Sequence, residues 1–199
     1  MKKILFIGNS YTYYNDMPQQ IFAPKAAAAG LAAEVTAVTK GGWTLSKFAD
    51  PEDEEGKRLR AVVEGQRYDY VVLQEQSCRP VVNPEKFFDG VGELKMLLSG
   101  QADQFFLYAT WGRKPGNEKL QELGLTNEEM TEQLAAAYDE AGKRFGMPVA
   151  HAGKAFAAYR AKNPDAELYD PDGSHPSDKG SEIAAETILA TILGQTERE

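Results

Sequence analysis

Five short apolar runs, residues 4–7, 34–38, 70–73, 105–109 and 148–150, recur along the chain with helical stretches between them. Several are continuous rather than alternating, which is what a parallel strand covered on both faces requires. The clearest helical stretch, 127–145, carries Met130, Leu134, Ala137, Tyr138, Ala141 and Phe145 on one stripe. Thr126 followed three residues later by Glu129 marks its start as a capping box. A last helix has Ile183, Ile188, Leu189 and Ile192 as its apolar face. Strand and helix alternating from end to end predict an α/β fold: a three-layer α/β/α sandwich with a five-stranded parallel sheet in flavodoxin-like order, in one domain spanning 1–199. In such sheets the ligand lies beyond the carboxyl ends of the strands, so the segments after residues 7, 38, 73 and 109 are the places to search.

Composition narrows the partners. The 199 residues are 42% hydrophobic and 26% charged, as in an ordinary globular protein with a full core. A net charge of −8 argues against a nucleic-acid partner and against a polybasic membrane anchor. The single cysteine, Cys78, excludes an internal disulfide. Lys2-Lys3 followed by Ile4–Ile7 superficially resembles a secretory leader, but such leaders need roughly 7–15 apolar residues; here Gly8-Asn9-Ser10 ends the run. No stretch reaches membrane-spanning length, and a cytoplasmic protein is expected. Residues 50–55 read as an acidic loop leading into a helix. Residues 112–125 exceed the usual strand–helix connection, and a lid and a plain surface excursion fit equally.

Two segments carry chemistry. Gly8-Asn9-Ser10-Tyr11-Thr12 puts Ser10 at the sheet's carboxyl edge, where backbone N–H groups at a helix start can meet developing negative charge. Alone, this segment fits a nucleophile and a mere helix cap equally well. Near the far end, Tyr169-Asp170-Pro171-Asp172-Gly173-Ser174-His175-Pro176 places a carboxylate and one of only two histidines three residues apart in a turn. That is the orienting half of a Ser-His-Asp triad, although an ordinary Asp-Gly turn beside an exposed histidine has the same sequence.

Together these segments resemble the SGNH (GDSL-type) esterase and lipase superfamily over nearly the whole chain. Gly8-Asn9-Ser10 matches its first block, Gly42 in Lys40-Gly41-Gly42-Trp43-Thr44 its second, and Asp172-Gly173-Ser174-His175 its last. The third block, usually Gly-x-Asn-Asp, corresponds to Leu73-Gln74-Glu75-Gln76-Ser77. The resemblance implies Ser10 as nucleophile, His175 as general base and Asp172 as its orienting carboxylate. It also implies an oxyanion hole made of the N–H groups of Ser10 and Gly42 with an amide side chain from the third block. Neither metal nor organic cofactor is implied. Asn9 replaces the family's aspartate, and the oxyanion amide falls to Gln76, with Gln74 as competitor. The Gln-Glu-Gln-Ser block is similar to that of a bacterial subgroup, and sugar-ester deacetylases of the superfamily also use glutamine here.

Tyr11, Tyr13, Trp43 and Trp111 follow strand ends and are candidate walls for a sugar or acyl group, with loop packing as the equal alternative; Gln74 is a further candidate substrate contact. Glu75 reads as a loop carboxylate or a substrate contact. His151 is expected to be a core or edge histidine, Cys78 a bystander, and Arg79 and Arg113 solvated surface charges. The expected activity is hydrolysis of a short-chain acyl ester, an O-acetyl group on a carbohydrate, with a small-molecule or carbohydrate ester as the partner. Two rivals stand beside it: a flavodoxin-like module cradling a phosphate at Gly8–Thr12, and a glycan-binding protein of the same fold without hydrolysis.

Overall fold

The computed structural model describes residues 1–196. Strands β1 (Lys2–Gly8), β2 (Ala33–Thr39), β3 (Tyr68–Leu73), β4 (Ala102–Ala109) and β5 (Val149–His151) form one sheet in the order β2-β1-β3-β4-β5. Every pairing is parallel, with Ile4–Ile7 of β1 matched to Tyr70–Leu73 of β3. The first four strands begin one to three residues before the apolar runs, because polar residues at the open edge, such as Lys2, Asp69 and Asp103, also have strand geometry. The fifth is offset by one. Pro148 lends its carbonyl to Leu107 N–H (2.9 Å) but has no N–H of its own, and the strand begins at Val149.

Among the described residues ten α-helices flank the sheet: α1 (Ser10–Tyr13), α2 (Ala23–Ala28), α3 (Leu45–Ala49), α4 (Glu54–Val63), α5 (Arg79–Val82), α6 (Pro84–Leu97), α7 (Glu118–Leu123), α8 (Asn127–Phe145), α9 (Ala152–Lys162) and α10 (Asp178–Thr196). Successive strand residues point to opposite faces, and two cores result. Ile4, Phe6, Tyr70, Val72, Phe106 and Tyr108 pack against Phe22, Phe156 and Ile188 on one face. Leu5, Ile7, Val71, Leu73 and Leu107 pack against Phe48, Leu59, Phe87, Leu94 and Tyr138 on the other. The capping box of α8 is present, with Thr126 and Glu129 exchanging side chain to backbone bonds of 3.1 and 2.8 Å. Among the described residues no helix is long and apolar enough to cross a membrane.

Between α1 and α2 the chain kinks at Asn15 and Asp16, both left-handed (φ 55° and 53°), and then winds into a π-helical turn, Met17–Phe22. Asparagine tolerates that region better than most residues, and here its side chain donates to Pro176 O (3.0 Å) and Ser181 Oγ (2.9 Å). The kink thereby ties the start of the chain to the loop before α10 and to the first turn of that helix.

Gly8 ends β1 under a tight contact. A Cβ there would fall 2.4 Å from Thr12 Oγ1 and 2.7 Å from Gln74 Oε1. Gly8→Ala should therefore destabilise the fold by about 1–3 kcal/mol, the usual cost of overpacking. Gly100→Ala, where the added methyl meets open space, should change little. Urea unfolding of both variants checks the contrast.

Candidate active site

The loop before α10 turns back toward the first strand, and the turn is built around one carboxylate. Asp172 Oδ1 accepts the N–H groups of Ser174 (2.8 Å) and His175 (3.0 Å), while Gly173, at φ +66°, donates its own N–H to Asp170 O (2.9 Å). That leaves Oδ2 for the imidazole, and His175 Nδ1 lies 2.5 Å from it. The other ring nitrogen, Nε2, lies 2.8 Å from Ser10 Oγ, joining residues 165 apart in sequence. Ser10 opens α1, where no carbonyl of the helix reaches its N–H, and Asn9 caps that helix by accepting Tyr11 N–H (3.2 Å). Ser10, His175 and Asp172 are thus brought into one line. Burial alone would raise the Asp172 carboxyl, but the bonds from His175 and from the Ser174 and His175 N–H groups hold it below the usual carboxylate range.

Of the two third-block glutamines, it is Gln74 that departs from the expected substrate contact. Gln74 is buried, with Oε1 accepting Asn9 N–H (2.9 Å) and the Thr12 hydroxyl (2.8 Å) and its amide nitrogen held by Glu75 O. All its polar atoms are engaged in bracing the serine turn, so it is a strut and not a substrate contact. Gln76 Oε1 caps α5 through Cys78 N–H and Arg79 N–H (3.0 Å each), while its amide nitrogen has only a long 3.5 Å contact to Ser77 Oγ and retains donor capacity. Gly42 occupies the third position of a turn closed by Trp43 N–H to Lys40 O (3.1 Å), and its φ of +72° favours glycine there. Asn9 Nδ2 donates to Trp43 O (3.1 Å). An aspartate could not make that bond, so the substitution at position 9 links the serine turn to the Gly42 turn.

Glu75 is neither exposed nor free. Its carboxylate is fully buried and accepts Gln76 N–H (2.5 Å) and Leu45 N–H (3.3 Å), joining the loops after β2 and β3. Burial pushes its pKa up to about 7, and those two bonds together with the Arg79 charge keep it from rising further.

Two of the expected aromatic walls are core instead. Trp111 is 0% exposed, stacked between Phe156 (4.0 Å) and Tyr11 (5.0 Å), with its indole N–H on Ser174 O (3.1 Å). Tyr11 is buried, its hydroxyl 2.9 Å from Ser174 Oγ. Neither offers a face to a substrate, because each supports the His175 turn from behind. Trp43 is half-buried, has Lys47 over its ring at 4.1 Å, and donates its indole N–H to Asp53 (3.0 Å). Tyr13 is 39% exposed, with its hydroxyl beside Gly41. Sequence reasoning missed Tyr14, whose ring stacks on His175 at 4.3 Å and 15°. His151 pairs with Asp139 (2.9 Å) at the sheet edge, and burial pushes the Cys78 thiol up, away from thiolate.

Residues 112–125 include α7 and lie against the Asp172 turn: Lys114 N–H donates to Gly173 O (2.8 Å) and Asn117 Nδ2 to Asp172 O (2.9 Å). Arg113 is half-buried beside the site, not on the solvated surface expected of it. The register of an extended segment cannot be read from side-chain type alone, which is why these contacts were not visible in the sequence.

No protein-family model matches the sequence, and no curated protein matches it. Solved structures do. A candidate SGNH hydrolase from Slackia heliotrinireducens is 32% identical, with a TM-score of 0.82 over 96% of this chain and 98% of that one. A lipase/acylhydrolase from Enterococcus faecalis (20% identity, TM-score 0.68, 98% and 97% covered) and an acetylxylan esterase from Geobacillus stearothermophilus (15%, 0.64, 96% and 94%) share the fold. At this identity and coverage, the chain belongs to the SGNH hydrolase family.

The raised Glu75 value has a consequence for stability. Because the folded protein holds this proton up to about 7 while a free glutamate releases it near 4.5, stability is lost as pH climbs through that window. Over the full window the loss is of the order of 3 kcal/mol. Glu75→Gln removes the titration, so its stability relative to the parent should improve from about pH 5 to about pH 8. Urea unfolding at the two pH values reads the crossing, and a constant difference contradicts it.

Proposed function

We propose that this chain is a serine esterase acting on short acyl esters, with an O-acetyl group on a carbohydrate as the substrate. The observation that carries the reading is the unbroken line from Asp172 Oδ2 through His175 to Ser10 Oγ, at 2.5 and 2.8 Å. Ser10 Oγ attacks the ester carbonyl while His175 Nε2 takes its proton, and Asp172 holds the ring and balances the imidazolium. The oxyanion is met by the N–H groups of Ser10 and Gly42 and by the Gln76 amide. As the tetrahedral intermediate collapses, His175 returns the proton to the departing alcohol. A water activated by the same imidazole then releases the acid and frees Ser10.

The aromatic residues next to Ser10 in sequence support a carbohydrate ester. Tyr11, Thr12 and Trp111 are packed away, whereas Tyr13 is exposed, and Tyr14, stacked on His175, and Trp43 are half-buried. Such rings suit the face of a sugar, and the structurally similar acetylxylan esterase acts on an acetylated carbohydrate.

Ser10→Ala should abolish both hydrolysis of p-nitrophenyl acetate and labelling by a fluorophosphonate, with unchanged unfolding. Acetyl esters should be turned over faster than octanoyl esters. An imidazolium cannot take the serine proton, so kcat/KM should fall toward acid as His175 is protonated. Asp172, held below the usual carboxylate range, stays charged through that limb. A profile flat from about pH 5 to 9 contradicts the mechanism.

Gln76→Ala separates oxyanion stabilisation from binding. It should lower kcat by roughly 10²–10³ with little change in KM. Gln74→Ala should instead destabilise the fold by about 1–3 kcal/mol, because it leaves the buried Asn9 N–H and Thr12 hydroxyl unpaired. Steady-state kinetics and urea unfolding of both variants distinguish the roles.

A further inference from the structure

Arg113 stands where four loops meet. From the loop after β4 its guanidinium donates through Nη1 to the hydroxyls of Tyr11 and Ser174, and through Nη2 to Ser77 Oγ (2.8 Å) and more distantly to Cys78 Sγ (3.8 Å). Tyr11 follows Ser10, Ser77 follows Gln76, and Ser174 sits between Asp172 and His175. The guanidinium centre also lies 5.4 Å from the centre of the Tyr11 ring. Burial lowers the guanidinium's pKa, opposed by the Asp172 charge. Among the described residues Arg113 makes no ion pair, so this half-buried cation is not half of a salt bridge.

Resting on the hydrolase reading above, we propose that Arg113 is a positioning residue. Its planar fork locks the Asp172–His175 turn to the serine turn and the Gln76 loop, fixing the distance from His175 to Ser10. A fork suits this task because its donors are rigidly arranged, whereas a lysine ammonium is a point charge on a flexible stem. The backbone bond from Lys114 and the Asn117 side chain hold the outer side of the same turn. Arg113 reaches its inner side. Small displacements between base and nucleophile are costly, since a shift of about 1 Å can lower turnover about a hundredfold.

Arg113→Ala should lower kcat by about 10- to 100-fold and leave KM within about twofold. Free guanidinium, far below unfolding concentrations, should restore part of that kcat in Arg113→Ala and none in Ser10→Ala. Arg113→Lys should recover less than guanidinium does. Ser174→Ala, which removes one acceptor and no charge, should show a smaller loss of the same kind and covers the case in which Arg113→Ala does not fold. Amide exchange over residues 172–176 reads the clamp without reference to turnover: it should quicken in Arg113→Ala while β4 stays protected. An inactive wild type with quickened exchange overturns the hydrolase reading and keeps the clamp. Unchanged exchange, unchanged kcat or a loss confined to KM overturns the clamp.

Discussion

The position of β1 in the sheet governs everything built on it. Its neighbours β2 and β3 leave from opposite sides, so the strand order reverses at β1 and the connections diverge beyond its carboxyl end. A crevice has to open at such a point. The residue that follows Gly8-Asn9 lands in it whatever its type, and here that residue is a serine. The crevice walls are then the loops after β2 and β3, which supply Gly42 and Gln76, and the loop before α10, which supplies the imidazole.

Polar side chains tie these walls to one another. Gln74 braces the serine turn from below, Asn9 joins it to the Gly42 turn, and Glu75 joins the Gly42 loop to the Gln76 loop. Each is buried, and each uses its polar atoms on backbone groups that would otherwise lack partners. The unusual third block is thereby intelligible. Two of its residues hold the loops in register, and the remaining amide, Gln76, is the one left with donor capacity.

Much of this was legible in the sequence. The apolar runs announce strands because both faces of a parallel sheet are covered, and the capping box of α8 follows from local chemistry alone. Ser10, Asp172 and His175 stood out only because their two blocks together resemble the SGNH pattern, since each block alone also fits a local structural role. Long-range packing was less accessible. Trp111 and Tyr11 look like site walls when only their place after a strand is known, yet the stacking of Trp111 on Phe156 takes them inward. Gln74 and Gln76 lie two apart, and no local signal tells which is drawn under the serine turn. Tyr14 reaches His175 only because the chain kinks at Asn15 and Asp16, two left-handed residues that no periodicity reveals.

The separation of 165 residues between Ser10 and His175 has a consequence for how the protein is made. Synthesis is vectorial, and N-terminal elements collapse while later ones are still on the ribosome. A chain that has emerged only through α8 holds Ser10, the Gly42 turn and the Gln76 loop but neither Asp172 nor His175. In the folded chain the last loop is held against the kink at Asn15, and α10 packs beside the π-helical turn and α9. Until those last residues are in place, the Ser10 hydroxyl has no imidazole within reach, because its hydrogen-bond partner lies 165 residues further along the chain.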